Sequence, residues 1–127
     1  MTDAGMHIGV ARVYEPRSES DGRRVLVDRL WPRGLARADA ELDEWCRDVA
    51  PSTELRKWYS HRADRFEQFR DRYLAELDDA DHAEAVSTLQ AVCAGSRVTL
   101  LTATRELAGS HARILADSIR ARVRSGR

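Results

Sequence analysis

Two short runs of this sequence carry side chains whose types and spacing suit the handling of an anion. In the first, Asp28-Arg29-Leu30-Trp31-Pro32-Arg33-Gly34, a pair of arginines brackets a tryptophan. Guanidinium groups grip carboxylate and phosphate through a planar fork, and an indole face can stack on or close over the bound group. The second run supplies Thr102, Thr104, Arg105, Ser110 and His111. Ser110 and His111 open a predicted helix, where free backbone N–H groups favour negative charge. The same dipole lowers the proton affinity of His111, so a neutral imidazole can act there as a base or hydrogen-bond partner. His61 follows Trp58-Tyr59-Ser60 at a predicted helix end and is a second candidate proton carrier, with Asp28 placed to orient one of the two. A purely structural role fits the same residues. Trp31 then plugs the core, Asp28 pairs with an arginine, Pro32-Arg33-Gly34 is a turn, His111 caps a helix and His61 serves a helix C-terminus.

Other chemistries find little support. His7, His61, His82 and His111 show no HxxxH or HxH spacing, so no metal site is expected. GxGxxG, GxxxxGK[ST] and GxSxG are absent, which removes the signatures of dinucleotide, P-loop and serine-elbow sites, and no cofactor is expected. Cys46 and Cys93 form no CxxC pair and read as small buried hydrophobes.

The elements that must position these residues are legible from apolar patterning. Ile8 to Tyr14, Arg24 to Leu30 and Arg97 to Thr102 read as strands, the last two as buried ones. Glu15 to Gly22 is a polar loop. Leu42 to Val49 fits a helical face or an extended segment equally well. Ser52 caps a short helix that runs to about Tyr59, with Glu54 in its first turn. Asp64 to Leu77 is the clearest helix, its apolar face made by Phe66, Phe69, Tyr73, Leu74 and Leu77. Asp78 to Asp81 breaks it, and a second helix covers Ala83 to Cys93, ended by Gly95. Thr104 to Gly109 is a loop before a last helix with Ala112, Leu115, Ala116, Ile119 and Val123 inward. Apolar strands separated by helices imply an α/β fold with a mostly parallel sheet flanked by helices. Ligands bind such sheets beyond the carboxyl ends of the strands, where the two polar runs converge if their strands are neighbours.

Composition bounds the reading. The 127 residues suit one small domain, with residues 1–7 as a flexible tail and 8–124 as the folded unit. Basic and acidic residues tie at 21 each, which argues against a nucleic-acid binder or a polybasic membrane-surface protein. Lys57 is the sole lysine in an otherwise arginine-only basic set. No stretch approaches the ~20 apolar residues of a membrane span and no secretory signal is visible, so a cytoplasmic location is expected. A monomer or weak dimer is expected.

The segments VLVDRLWPRG at 25–34, DEWCRDVAPSTELRKWYSH at 43–61, FRDRYLAEL at 69–77, and VTLLTA with SHA at 98–112 resemble the YeaO-like branch of the bacterial family called domain of unknown function 488. The resemblance runs over about residues 10–120. It implies a small α/β fold of about four strands, with no established activity. It also implies that Asp43 to Val49 is a strand leading into Ala50-Pro51-Ser52. Matched polar positions are Asp28, Arg29, Arg33, Ser52, Thr53, Lys57, His61 and His111, and matched aromatics are Trp31, Trp45 and Trp58. Ser110 stands where relatives commonly have Asn. The Cys-His-Arg-like run of the wider family is missing, so no cysteine mechanism is implied.

The first functional expectation is an enzyme acting on a small anionic substrate, phosphorylated or nucleotide-like. His111, His61 and Asp28 would be its catalytic groups. Arg29, Trp31, Arg33, Ser52, Thr53, Lys57, Trp58, Thr102 and Ser110 would be its binding groups. The alternatives are a non-catalytic module for a small ligand or a nucleic-acid end, and a protein-interaction adaptor.

Overall fold

A computed structural model describes residues 7–60 and 62–124. The expected tail lies outside the described residues except for His7, and His61 lies outside them too. Four strands, β1 (Ile8–Arg12), β2 (Arg23–Leu26), β3 (Glu44–Trp45) and β4 (Val98–Thr102), form one sheet in the order β1-β4-β2-β3. Every pairing is parallel. The helices are α1 (Arg37–Ala40), α2 (Thr53–Tyr59), α3 (Phe66–Leu77), α4 (Ala80–Gly95) and α5 (His111–Arg124). None is long and apolar enough to cross a membrane.

The sheet sits between two unequal cores, and strand alternation sorts side chains between them. Val25, Val27, Val98 and Leu100 join the larger core, with Leu55, Phe69, Tyr73, Leu89, Leu115 and Ile119 from the helices. Leu26 and Leu101 turn the other way, onto a smaller core with Val13, Trp31, Leu35, Leu42 and Trp45. The second face is thus covered mainly by a loop and two tryptophans, where helices on both faces are the usual arrangement of a parallel sheet.

Several boundaries differ from the sequence reading. β2 ends at Leu26 instead of Leu30, because the chain leaves the ladder after the Val27 amide bonds the Leu101 carbonyl at 3.0 Å. The segment Asp43 to Val49 is a strand for only two residues, then a 3₁₀ turn over Arg47–Val49. Asp78 to Asp81 does not simply break the helix. Asp79 caps α4, its carboxylate accepting from the His82 amide at 3.0 Å, and the new helix starts at Ala80 instead of Ala83. The start of the Asp64 helix is a 3₁₀ turn, Ala63–Arg65, and the α-helix proper begins at Phe66.

Arg24 organises the amino-terminal edge of the sheet. Its side chain is 1% exposed. Nε donates to Glu41 O at 3.1 Å, Nη1 to Asp21 Oδ2 at 2.9 Å, and Nη2 to Glu15 O at 3.0 Å and Ala40 O at 3.1 Å. One guanidinium thereby ties the loop after β1, the turn before β2 and the end of α1. Glu41 presents its carbonyl from a left-handed backbone (φ 50°). Beside it, Gly22 (φ 66°) has no room for a Cβ, which would stand 2.2 Å from the Arg97 carbonyl oxygen.

Two carboxylates of this edge are held below their ordinary range. For Asp43 the main cause is the hydrogen bond from the Arg24 amide, reinforced by Arg17. For Asp21, burial raises the value, but the Ser18 amide and the Arg24 guanidinium outweigh it and leave it lowered. A depressed folded-state value gives stability that is present above the unfolded value and lost as pH falls through the folded one.

Two outcomes follow. Arg24→Met takes the guanidinium from Asp21, from the buried Ala40 carbonyl and from the part-buried Glu15 and Glu41 carbonyls, and should cost about 3–5 kcal/mol in urea unfolding. Wild type should also lose stability more steeply than Asp43→Asn below about pH 4, the two curves converging in stronger acid. Parallel curves across that range would mean Asp43 is not held in its charged form.

Candidate functional site

The carboxyl ends of β2 and β4 lie side by side, and Asp28 fastens them. Its Oδ1 accepts from Thr102 Oγ1 at 2.7 Å and its Oδ2 from the Ala103 amide at 2.8 Å. Thr102 is fully buried, and its hydroxyl oxygen in turn accepts from the Thr104 amide at 3.2 Å. His111, the first residue of α5, places Nε2 3.0 Å from the Val27 carbonyl and 3.4 Å from Asp28 Oδ1. A carbonyl only accepts, so Nε2 carries a proton. The imidazole stands edge-on to Tyr73, with centroids 5.9 Å apart. Ser110 caps the helix: Oγ accepts from the Arg113 amide at 3.4 Å and donates to Leu107 O at 2.8 Å.

Beyond these strand ends opens a crevice of about 700 Å³. One wall is Asp28 to Arg33, another is the start of α2 with Pro51, Thr53, Arg56 and Lys57, and a third is Ala103, Thr104 and Gly109 to His111. Tyr59 and Phe69, stacked at 4.1 Å, lie at its base. The Tyr59 hydroxyl donates to Gly109 O at 2.9 Å and so fixes the third wall to α2.

Four cations line this space: Arg29, Arg33, Arg56 and Lys57. None forms an ion pair among the described residues, although Arg17, Arg23, Arg24, Arg120 and Arg122 all do. The single carboxylate in the lining, Asp28, is already engaged with Thr102 and Ala103. The Nε of Arg29 is buried without a hydrogen-bond partner. Buried polar groups are nearly always paired, and this donor is one of two exceptions among the described residues.

Trp31 gives the crevice a rigid side. Its Nε1 donates to Leu35 O at 2.7 Å, its ring meets Trp45 in a T-shaped contact at 5.4 Å, and Trp45 Nε1 donates to Asp28 O at 2.7 Å. Arg37 lies over the Trp31 ring at 4.5 Å.

Of the residues singled out from sequence, Asp28, Arg29, Trp31, Arg33, Thr53, Lys57, Ser110 and His111 line the crevice. Three others do not. Thr102 lies behind Asp28. Ser52 caps α2, its hydroxyl donating to Glu76 Oε2 at 2.6 Å and accepting from the Leu55 amide at 3.1 Å. Trp58 is held by Arg65 and Arg72, whose guanidinium carbons lie 5.1 and 4.2 Å from its ring. Arg56 was not singled out, yet it shares a helical face with Thr53 and Lys57, and that spacing is the signal that could have found it.

Burial pushes the Cys46 thiol to about 11 and Cys93 to about 12, so neither offers a thiolate near neutrality. Burial likewise holds Tyr73 well above its ordinary value, and its hydroxyl donates to Val49 O at 2.6 Å. Among the described residues, no group of three or more His, Cys, Asp or Glu side chains could hold a metal ion.

A family model described as the inactive DUF488-N3 subclade matches residues 7–127. An uncharacterized protein of Mycobacterium tuberculosis is 48% identical over 115 residues, covering 91% of this chain and 95% of that protein. The uncharacterized protein YeaO of Escherichia coli is 44% identical over 115 residues, covering 91% of this chain and 98% of its own. No solved structure matches.

Removing the Asp28 carboxylate should be costly, since it leaves the Ala103 amide without its acceptor and the buried Thr102 hydroxyl with only its 3.2 Å contacts to Thr104. Asp28→Ala is expected to lose about 2–3 kcal/mol in urea unfolding, and Asp28→Asn, which keeps one acceptor oxygen, less. An unchanged midpoint for Asp28→Ala would show that the carboxylate does not fasten the strand ends.

Proposed function

The chain belongs to the inactive DUF488-N3 subclade, and on that premise we propose that it is a binding module for a small phosphate-bearing anion, which it holds without turnover. The observation that carries the reading is the set of four cations around one crevice, none in an ion pair among the described residues, in a chain whose net charge is zero. Arg29 and Arg33 supply planar forks, Arg56 and Lys57 close the opposite side, and Trp31 is a stiff surface for an apolar part of the ligand. Among the described residues, the two candidate proton-moving groups are committed elsewhere. Asp28 serves Thr102 and Ala103, and the protonated nitrogen of His111 serves Val27. The word inactive in the family description agrees with binding alone.

One observation favours a catalytic reading: His111 Nε2 stands 3.4 Å from Asp28 Oδ1 beside the cations. On that reading the substrate is a small phosphorylated or nucleotide-like anion and His111 moves the proton. Phosphate release from a panel of phosphate monoesters, abolished in His111→Ala, would replace binding with catalysis.

Thermal unfolding against inorganic phosphate, pyrophosphate and nucleotides tests the binding reading. A ligand at 100 times its dissociation constant adds about 2.7 kcal/mol, a rise of roughly 8–15 °C for a domain of this size. The rise should shrink with added salt. It should vanish in Arg29→Ala and persist in Arg23→Ala, which lies outside the crevice. Equal rises in both variants would sink the proposal.

A further inference from the structure

The crevice does not end at Thr104. Tyr59, Ala103, Thr104 and Gly109 also line a second cavity of about 570 Å³, so the two spaces share a wall. The second cavity is completed by Arg12 at the end of β1 and by Ala63, Arg105 and Glu106. Sheet order explains the relation. β4 lies between β1 and β2, with Arg12 in register with Thr102, and Leu26 with Leu101. Arg12 and Arg29 therefore flank the same strand end, their strands about 10 Å apart at two ladder spacings.

Among the described residues, two buried side-chain polar atoms have no hydrogen-bond partner, and each belongs to an arginine that lines one of the cavities: Nε of Arg29 for the first and Nε of Arg12 for the second. The rest of the Arg12 guanidinium is only lightly held, by Ala103 O at 3.4 Å and over the Tyr14 ring at 4.9 Å. Arg105 is exposed and without an ion pair among the described residues, and Glu106 is the one carboxylate of this second lining. A single anion among Arg29, Arg33, Arg56 and Lys57 leaves the Arg12 donor unanswered.

Building on the anion reading above, we infer that the ligand is a bisphosphate. One phosphoryl group sits among the four crevice cations. The other sits at Arg12 and Arg105, and a short neutral spacer passes over Thr104. Two linked anions gain from the second site without a second loss of translational freedom, so the pair binds more tightly than either alone.

Calorimetric titration with alkanediol bisphosphates of two to six carbons, each against the alkyl monophosphate of equal length, tests this. At the best length the bisphosphate should bind at least about tenfold more tightly. Arg12→Ala should bring the bisphosphate to the monophosphate level and leave the monophosphate itself within about twofold. Arg105→Ala, on an exposed loop, repeats the test without disturbing a strand. The inference is overturned if no length outperforms its monophosphate, or if both variants weaken the two ligands alike. If Arg29→Ala leaves monophosphate binding intact, the anion reading itself fails, and this one with it.

Discussion

The carboxylate of Asp28 joins segments that the sequence keeps far apart, accepting from Thr102 and Ala103 across 74 and 75 residues, with His111 at 3.4 Å. Parallel neighbours need some such device at their ends, because beyond the last ladder bond nothing in the backbone holds them together. A charged acceptor serving two short hydrogen bonds is stronger than a neutral one, and its cost of burial is met by donors fixed in the β4 backbone and side chain. Engaged in this way, Asp28 forms no ion pair with an arginine among the described residues. The crevice keeps a positive field because four cations outnumber its one acid.

That field is a matter of placement. The chain carries as many acids as bases. Asp21, Asp43, Asp78 and Asp117 each pair with an arginine outside the crevice, and among the described residues no acid pairs with the crevice cations. A cleft of one sign concentrates counter-charge far better than the same residues scattered over the surface. The loop that carries Arg29 and Arg33 is braced through Trp31, Leu35, Trp45 and Asp28, which pre-organises this wall of the crevice.

The sequence was most legible where periodicity was strong. Val98–Thr102, the Ser52-capped helix and the face of Phe69, Tyr73 and Leu77 appear as patterning predicts. Family resemblance added the fourth strand, though only Glu44–Trp45 is extended, since such a short edge depends on neighbours that patterning cannot see. Arg24 was absorbed into an apolar run, because nothing local distinguishes a buried arginine from an exposed one. Its acceptors are carbonyls of Glu15, Ala40 and Glu41, set by tertiary structure. Within the site, Asp28, Arg29, Arg33 and His111 could be named because strand ends in a parallel sheet are a known place to look. Trp58 and Ser52 turn to α3 and the turn before it instead, and helical phase decides that. Arg12 belongs to β1, whose place beside β4 is a matter of strand order, and one sequence does not state strand order.

The sheet order also has a consequence for the protein's synthesis. β1 and β2 emerge from the ribosome early, yet neither touches the other; both pair with β4, at Val98–Thr102, and α5 follows it. Until that late segment is made, Asp28 has no Thr102, the Thr104 wall does not exist, and the first strands wait with unpaired edges. Long-range pairing of this kind slows folding and leaves nascent chains prone to aggregation. The crevice wall at Thr104 and both flanks of β4 are therefore complete only on chains in which β4 and α5 have been made.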